Sequence, residues 1–251
     1  EFDGVEYYYY EISDNEYTCI DGIGKSKINA GNYTIKLLTL GKYDSTNDIE
    51  ILNSNYTDAQ DMVRLSKVST DAIVSNNGVL VWEHLDQAHI NQYIVVLTGT
   101  KTYTFTTVNP QIDFTITADN YGNLLETGSY SIVIKAVGED YISSMQSNSA
   151  TGFTKLATVT GATEKDDYIS WQAVENAQGY KVTFEWTNSS GAESTSEQTV
   201  LATEELKCVA PEQLTGSYTI KIQAVGVDTG KVFNGGIYIF TGSNERPQPV
   251  G

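Results

Sequence analysis

His84 and His89, the chain's two histidines, stand in Trp82-Glu83-His84-Leu85-Asp86-Gln87-Ala88-His89, beside the carboxylates Glu83 and Asp86. Imidazoles and carboxylates are ligands for zinc and transition metals, but a site needs several of them converging on one point. This stretch follows a strand-like segment and has the composition of a loop, which gives the rings no fixed geometry. It reads as a flexible polar loop with no metal. The acidic groups Glu164-Lys165-Asp166-Asp167 and Gly138-Glu139-Asp140 offer oxygen ligands for calcium. Neither follows the Asp-x-Asp-x-Asp-Gly pattern that makes a calcium loop specific, and both fit ordinary turns.

Nucleophilic catalysis needs a base beside the nucleophile and a third group to orient it. Cys19 and Cys208 each lie in a different part of the chain from both histidines. Nothing frames a pair of carboxylates for glycosidic cleavage, and no Gly-x-Gly-x-x-Gly or phosphate-loop pattern occurs. The expectation is a chain with no enzymatic activity and no cofactor.

Aromatic residues are the remaining candidates for chemistry. The run Tyr7-Tyr8-Tyr9-Tyr10 places tyrosine on both faces of one strand, which makes Tyr8 and Tyr10 candidate ligand contacts. Trp186 extends the inward register of Tyr180, Val182 and Phe184 by one step and belongs at the rim of a core. A tryptophan there either closes the end of the core, which is the favoured reading, or stacks on a sugar ring. In the second case Asn188 and Glu185 are its neighbouring polar partners.

The elements that position these residues are strands. Segments such as Tyr93-Ile94-Val95-Val96-Leu97 and Tyr180-Lys181-Val182-Thr183-Phe184 alternate with period two and are rich in β-branched and aromatic residues. Clusters such as Ser75-Asn76-Asn77-Gly78 separate them as turns. The phrase Thr127-Gly128-Ser129-Tyr130-Ser131-Ile132-Val133-Ile134-Lys135-Ala136-Val137-Gly138 recurs at Thr215–Gly226 and, more loosely, at Ala30–Gly41. Such a repeat marks an all-β array of small modules. Trp82 to Tyr130 spans 48 positions and Trp171 to Tyr218 spans 47, so two copies share one frame.

Charge and cysteine content narrow the partners. The chain carries 32 Asp and Glu against 15 Lys and Arg, a formal net charge of −17. That surface repels nucleic acid and anionic membranes, and no apolar run reaches the roughly 20 residues of a membrane span. Cys208 shares a face with Leu206 and reads as a small buried thiol; the chain is not a disulfide scaffold.

The last copy carries Ile169-Ser170-Trp171, Val174-Glu175-Asn176-Ala177-Gln178-Gly179-Tyr180-Lys181-Val182, Leu214-Thr215-Gly216-Ser217-Tyr218 and Ile220-Lys221-Ile222-Gln223-Ala224-Val225. In these residues the chain resembles the fibronectin type III family, in the divergent form common in bacterial exported proteins. The resemblance implies tandem Greek-key β-sandwiches, each of seven strands in two antiparallel sheets. It also implies that Trp82 and Trp171 are core residues and that the Tyr218 hydroxyl bonds backbone at a tyrosine corner.

The modules are expected at residues 63–153 and 154–243, with a linker tail at 244–251. Residues 1–60 form a partial module, with strands at Val5–Ile12 and Glu16–Ile20 and a last strand ending at Tyr56. Thr57–Arg64 joins it to the next module, and Thr154-Lys155 alone joins the two complete ones. The chain is expected to be a fragment of a longer bacterial protein, located outside the cell or on its surface. Its array would space or present neighbouring domains of the same parent chain. The alternative is an adhesion module that recognises carbohydrate or a surface protein through edge strands or loop-end aromatics.

Overall fold

Alternation along each strand sets which side chains meet, and the computed structural model places them in two separate cores. It describes residues 30–68, 72–84, 89–138, 150–165, 168–188, 190–212, 214, 216–227 and 229–244. Tyr7–Tyr10, with the candidates Tyr8 and Tyr10, lie outside the described residues, as do the strands expected at Val5–Ile12 and Glu16–Ile20. So do Cys19, Asp86, Glu139, Asp140, Asp166, Asp167 and the tail 245–251. The described residues contain no α-helix.

The first described unit is one long hairpin, built from β1 (Gly31–Ile35), β2 (Tyr43–Asp44), β3 (Ile49–Glu50) and β4 (Gln60–Arg64). β1 and β4 pair antiparallel from Gly31↔Arg64 to Ile35↔Gln60, and β2 pairs β3 nearer the tip. Between them backbone rungs, such as the Thr57 amide to the Leu37 carbonyl oxygen at 2.7 Å, alternate with bonds from side chains. The Leu37 amide donates to Thr57 Oγ1 at 3.0 Å, the Thr39 amide to Ser54 Oγ at 2.8 Å and the Gly41 amide to Asn53 Oδ1 at 2.8 Å. This corrects the sequence reading, which ends the last strand at Tyr56 and makes Thr57–Arg64 a connection. Thr57, Ser54 and Asn53 have the composition of a loop, yet here their side chains continue the ladder.

The second sandwich is formed by β5 (Ile73–Val74), β6 (Val79–Val81), β7 (Gln92–Thr98), β8 (Thr102–Thr107), β9 (Gln111–Asp113), β10 (Gly128–Val137) and β11 (Ala150–Lys155). One sheet has the order β5-β6-β9, and the other runs β8-β7-β10-β11. The third sandwich repeats this with β12 (Thr163–Lys165), β13 (Tyr168–Ser170), β14 (Gly179–Thr187), β15 (Glu193–Leu201), β16 (Lys207–Val209), β17 (Gly216–Val225) and β19 (Tyr238–Asn244). Its sheets are ordered β12-β13-β16 and β15-β14-β17-β19. The extra strand β18 (Val232–Phe233) lies in the loop between β17 and β19, yet it pairs in parallel with β11 of the second sandwich. The seven strands in two sheets implied by the resemblance are therefore present twice.

Equivalent aromatic pairs fill both cores. Trp82 meets Tyr93 edge-on at 5.2 Å, and Trp171 meets Tyr180 at 5.4 Å. The two tryptophans are 2% and 6% exposed, as the resemblance requires of core residues. Phe153 on β11 belongs to the second core, and Leu156, three positions on, belongs to the third. The chain thus passes from one core to the next within one residue of the end of β11.

The two corners differ. The Tyr130 hydroxyl donates to the Glu126 carbonyl oxygen at 2.9 Å, a backbone corner. The Tyr218 hydroxyl donates instead to the Glu164 carboxylate on β12, which corrects the expected bond to backbone. Five positions separate buried Leu125 from Tyr130, but only four separate buried Leu214 from Tyr218. The shortened turn passes through Gly216 in the left-handed region, at φ 68°.

Tyr130→Phe should therefore cost about 1 kcal/mol, the net value of one neutral hydrogen bond. In a Glu164→Ala background Tyr218→Phe should cost less than in the native chain, while the cost of Tyr130→Phe stays the same. Urea unfolding of the native chain and the five variants measures this. Equal Tyr218→Phe costs in both backgrounds would remove the Glu164 bond from the account.

Candidate functional site

The structure takes His84 out of the set of available groups. Its ring is 6% exposed and packs edge-on against Tyr93 at 5.9 Å. Its Nε2–H donates to the Ser66 carbonyl oxygen at 2.8 Å. The sequence reading, a polar residue on a flexible loop, is corrected: the imidazole is buried, held between Tyr93 and the Ser66 carbonyl. No group of three or more His, Cys, Asp or Glu suited to a metal occurs among the described residues. Glu164, from one of the acidic clusters, is engaged by Tyr218. Cys208 is free and buried, and burial pushes its thiol up to about 12.

Trp186 sits in the predicted inward register, partly buried against the third core. Its indole N–H is buried and meets no acceptor among the described residues. The polar partners assigned to it are occupied elsewhere. Glu185 pairs with Lys221 Nζ at 2.6 Å, and Asn188 Oδ1 accepts from the Ser190 and Ala192 amides, both at 3.0 Å, which shapes the β14–β15 turn.

A shallow trough of about 1020 Å³ crosses this end of the sheet. All its lining residues come from β14, β15, β17 and β19, and none from the opposing sheet, so it lies on the solvent face. Alternation then assigns its walls to two rows of outward side chains, Thr195-Glu185-Thr219-Thr241 and Glu193-Thr187-Ser217-Ser243. Trp186 and Tyr218 also line it, and both contact the core of the third sandwich. Most of the lining residues carry hydroxyls or carboxylates.

The long hairpin exposes a series of apolar side chains that was not foreseen from the sequence. Leu37, Leu40, Tyr43, Ile49, Ile51, Leu52 and Tyr56 are all exposed, Leu52 to 77%. Cross-strand register puts Leu40, Ile49 and Ile51 on one face and Tyr43 and Leu52 on the other. The legible signal was the density of leucine and isoleucine in a segment that also reads as turns.

No protein-family model matches the sequence, and no curated protein is recognisably similar to it. Solved structures similar to the chain include the FN1–FN3 domains of chicken CNTN1, with 13% identity, 87% of this chain and 78% of that one covered, and a TM-score of 0.31. A segment of two fibronectin type III domains from chicken tenascin has 15% identity, coverage of 70% and 96%, and a TM-score of 0.30. The chicken interferon gamma receptor alpha chain has 15% identity, coverage of 69% and 96%, and a TM-score of 0.29. The strand order described above, and not these scores, carries the fold.

Two measurements follow from the buried groups. In a Cys19→Ser background, Cys208 should resist a thiol reagent at pH 8 until the protein unfolds; prompt labelling of the native protein would contradict its burial. Burial, together with nearby Tyr103 for Tyr130 and Glu164 for Tyr218, raises both phenols above their ordinary value of 10. The neutral form is favoured in the folded state, so this stability is full below pH 10 and declines as pH rises further. The urea midpoint should fall between pH 9.5 and about 11, with a shallower fall in the Tyr130→Phe/Tyr218→Phe double variant.

Proposed function

We propose that this chain is a non-catalytic extracellular array of fibronectin type III-like sandwiches that spaces or presents other parts of a longer surface or secreted protein. The observation that carries the reading is the three-position step from Phe153 in one core to Leu156 in the next. A joint of that kind fixes the separation of two modules at small entropic cost, because it leaves no flexible linker to order. The non-catalytic reading is supported by the state of the reactive groups: His84 is core, Cys208 is a buried neutral thiol, and Glu164 and Glu185 are engaged. The acidic balance of the chain suits a long soluble array.

One observation favours adhesion as a second reading. The hairpin Gly31–Arg64 exposes apolar side chains on both faces, whereas an isolated two-stranded ribbon is marginal in water. Its partner would be a surface protein offering a complementary apolar face. Carbohydrate fits less well, given the inward ring of Trp186.

The two readings part in a binding screen of the whole chain against polysaccharides and extracellular matrix proteins, with and without calcium. The array reading expects no saturable binding. Saturable binding to a protein that Leu40→Asp/Ile51→Asp abolishes would replace it with adhesion through the hairpin.

A further inference from the structure

The loop between β17 and β19 crosses to the second sandwich and is bonded along both of its edges. On one side the Thr154 amide donates to the Lys231 carbonyl oxygen and the Leu156 amide to that of Phe233, both at 2.9 Å. On the other side the Val74 amide donates to the Gly230 carbonyl oxygen at 2.9 Å, and the Asn234 amide to that of Asn76 at 3.0 Å. β5 and β11 belong to opposite sheets of the second sandwich, so the loop closes the seam between them.

Successive side chains of a strand point in opposite directions. Val232 therefore packs against the third core while Phe233 enters the second, where it is 6% exposed. The seat is made for a ring. A Cβ on Gly78, at φ 85°, would stand 2.5 Å from a Phe233 ring atom. The Lys155 ammonium lies 4.8 Å from the ring centroid and donates to the Leu125 carbonyl oxygen at 2.6 Å.

The third sandwich shapes the loop in advance. The Gly226 amide donates to Asn234 Oδ1 at 3.0 Å, and Gln223 Nε2 donates to the Gly235 carbonyl oxygen at 3.0 Å. Preorganisation of this kind reduces the ordering cost of docking.

We propose that this end of the second sandwich is a docking surface for a strand with an aromatic anchor, and that the loop of the third sandwich is its built-in occupant. The second sandwich is then complete only when the third is folded against it, while the third does not depend on the second in the same way. The proposal deepens the array reading by saying what stiffens the joint, and its test is independent of the binding screen.

The test is amide hydrogen exchange on the whole chain, native and Phe233→Ala. Phe233 belongs to the core of the second sandwich and Val232 keeps its contact with the third, so the variant retains the elements of its own sandwich. In Phe233→Ala, the β5, β6 and β9 amides should lose protection by at least about tenfold, while β14 and β17 change far less. Phe233→Leu should restore most of the loss, and an added peptide spanning residues 226–237 should restore part of it. Unchanged protection in the second sandwich, or an equal loss in the third, would overturn the proposal.

Discussion

Burial of the Phe233 ring is the constraint on which the joint between the two complete sandwiches depends. A ring removed from water contributes about 1.5–3 kcal/mol, a sizeable share of the 5–15 kcal/mol typical of a whole domain. The ring is supplied by one sandwich and seated in the other. Neighbouring domains in a chain ordinarily move against each other unless a large apolar interface prevents it. Here an aromatic anchor, two bonded edges of one loop and the short passage from Phe153 to Leu156 stand in for such an interface.

The same frame tolerates different local solutions. The second sandwich holds its tyrosine through the backbone at Glu126, and the third holds it through the carboxylate of Glu164 on the facing sheet. The two arrangements differ in chemistry: one acceptor is a main-chain carbonyl, the other a side-chain carboxylate. The turn ahead of Tyr218 is one position shorter than the one ahead of Tyr130.

The sandwiches were legible because period-two alternation, turn residues and the repeated Gly-x-Tyr phrase all point to the same elements. The family resemblance put Trp82 and Trp171 in cores, and alternation gave Tyr180 its inward register. His84 could not be placed, since its burial depends on the carbonyl of Ser66, eighteen positions upstream, and locally it looks like any polar residue after a strand. The hairpin ladder was hidden because Thr57, Ser54 and Asn53 continue it with side chains. Phe233 was hidden for a different reason. Its partners Asn76, Gly78 and Lys155 lie far upstream, and Gly230-Lys231-Val232-Phe233-Asn234-Gly235 reads locally as a glycine-rich turn. The trough beside Trp186 shows the limit of a register argument: spacing gave the ring's direction correctly but could not place an open surface on the opposite face.

The seating of Phe233 also has a consequence in time. The ring is encoded some 80 positions after Phe153, the last aromatic that the second sandwich supplies to its own core. At ribosomal rates of about 5–20 residues per second, those positions take roughly 4 to 16 s to make. During that interval the second sandwich has all seven of its strands but an open seam at one end. A nascent chain with such a gap is a substrate for chaperones and a template for a neighbouring chain's loop. The order of synthesis therefore makes the third sandwich the step that closes the second.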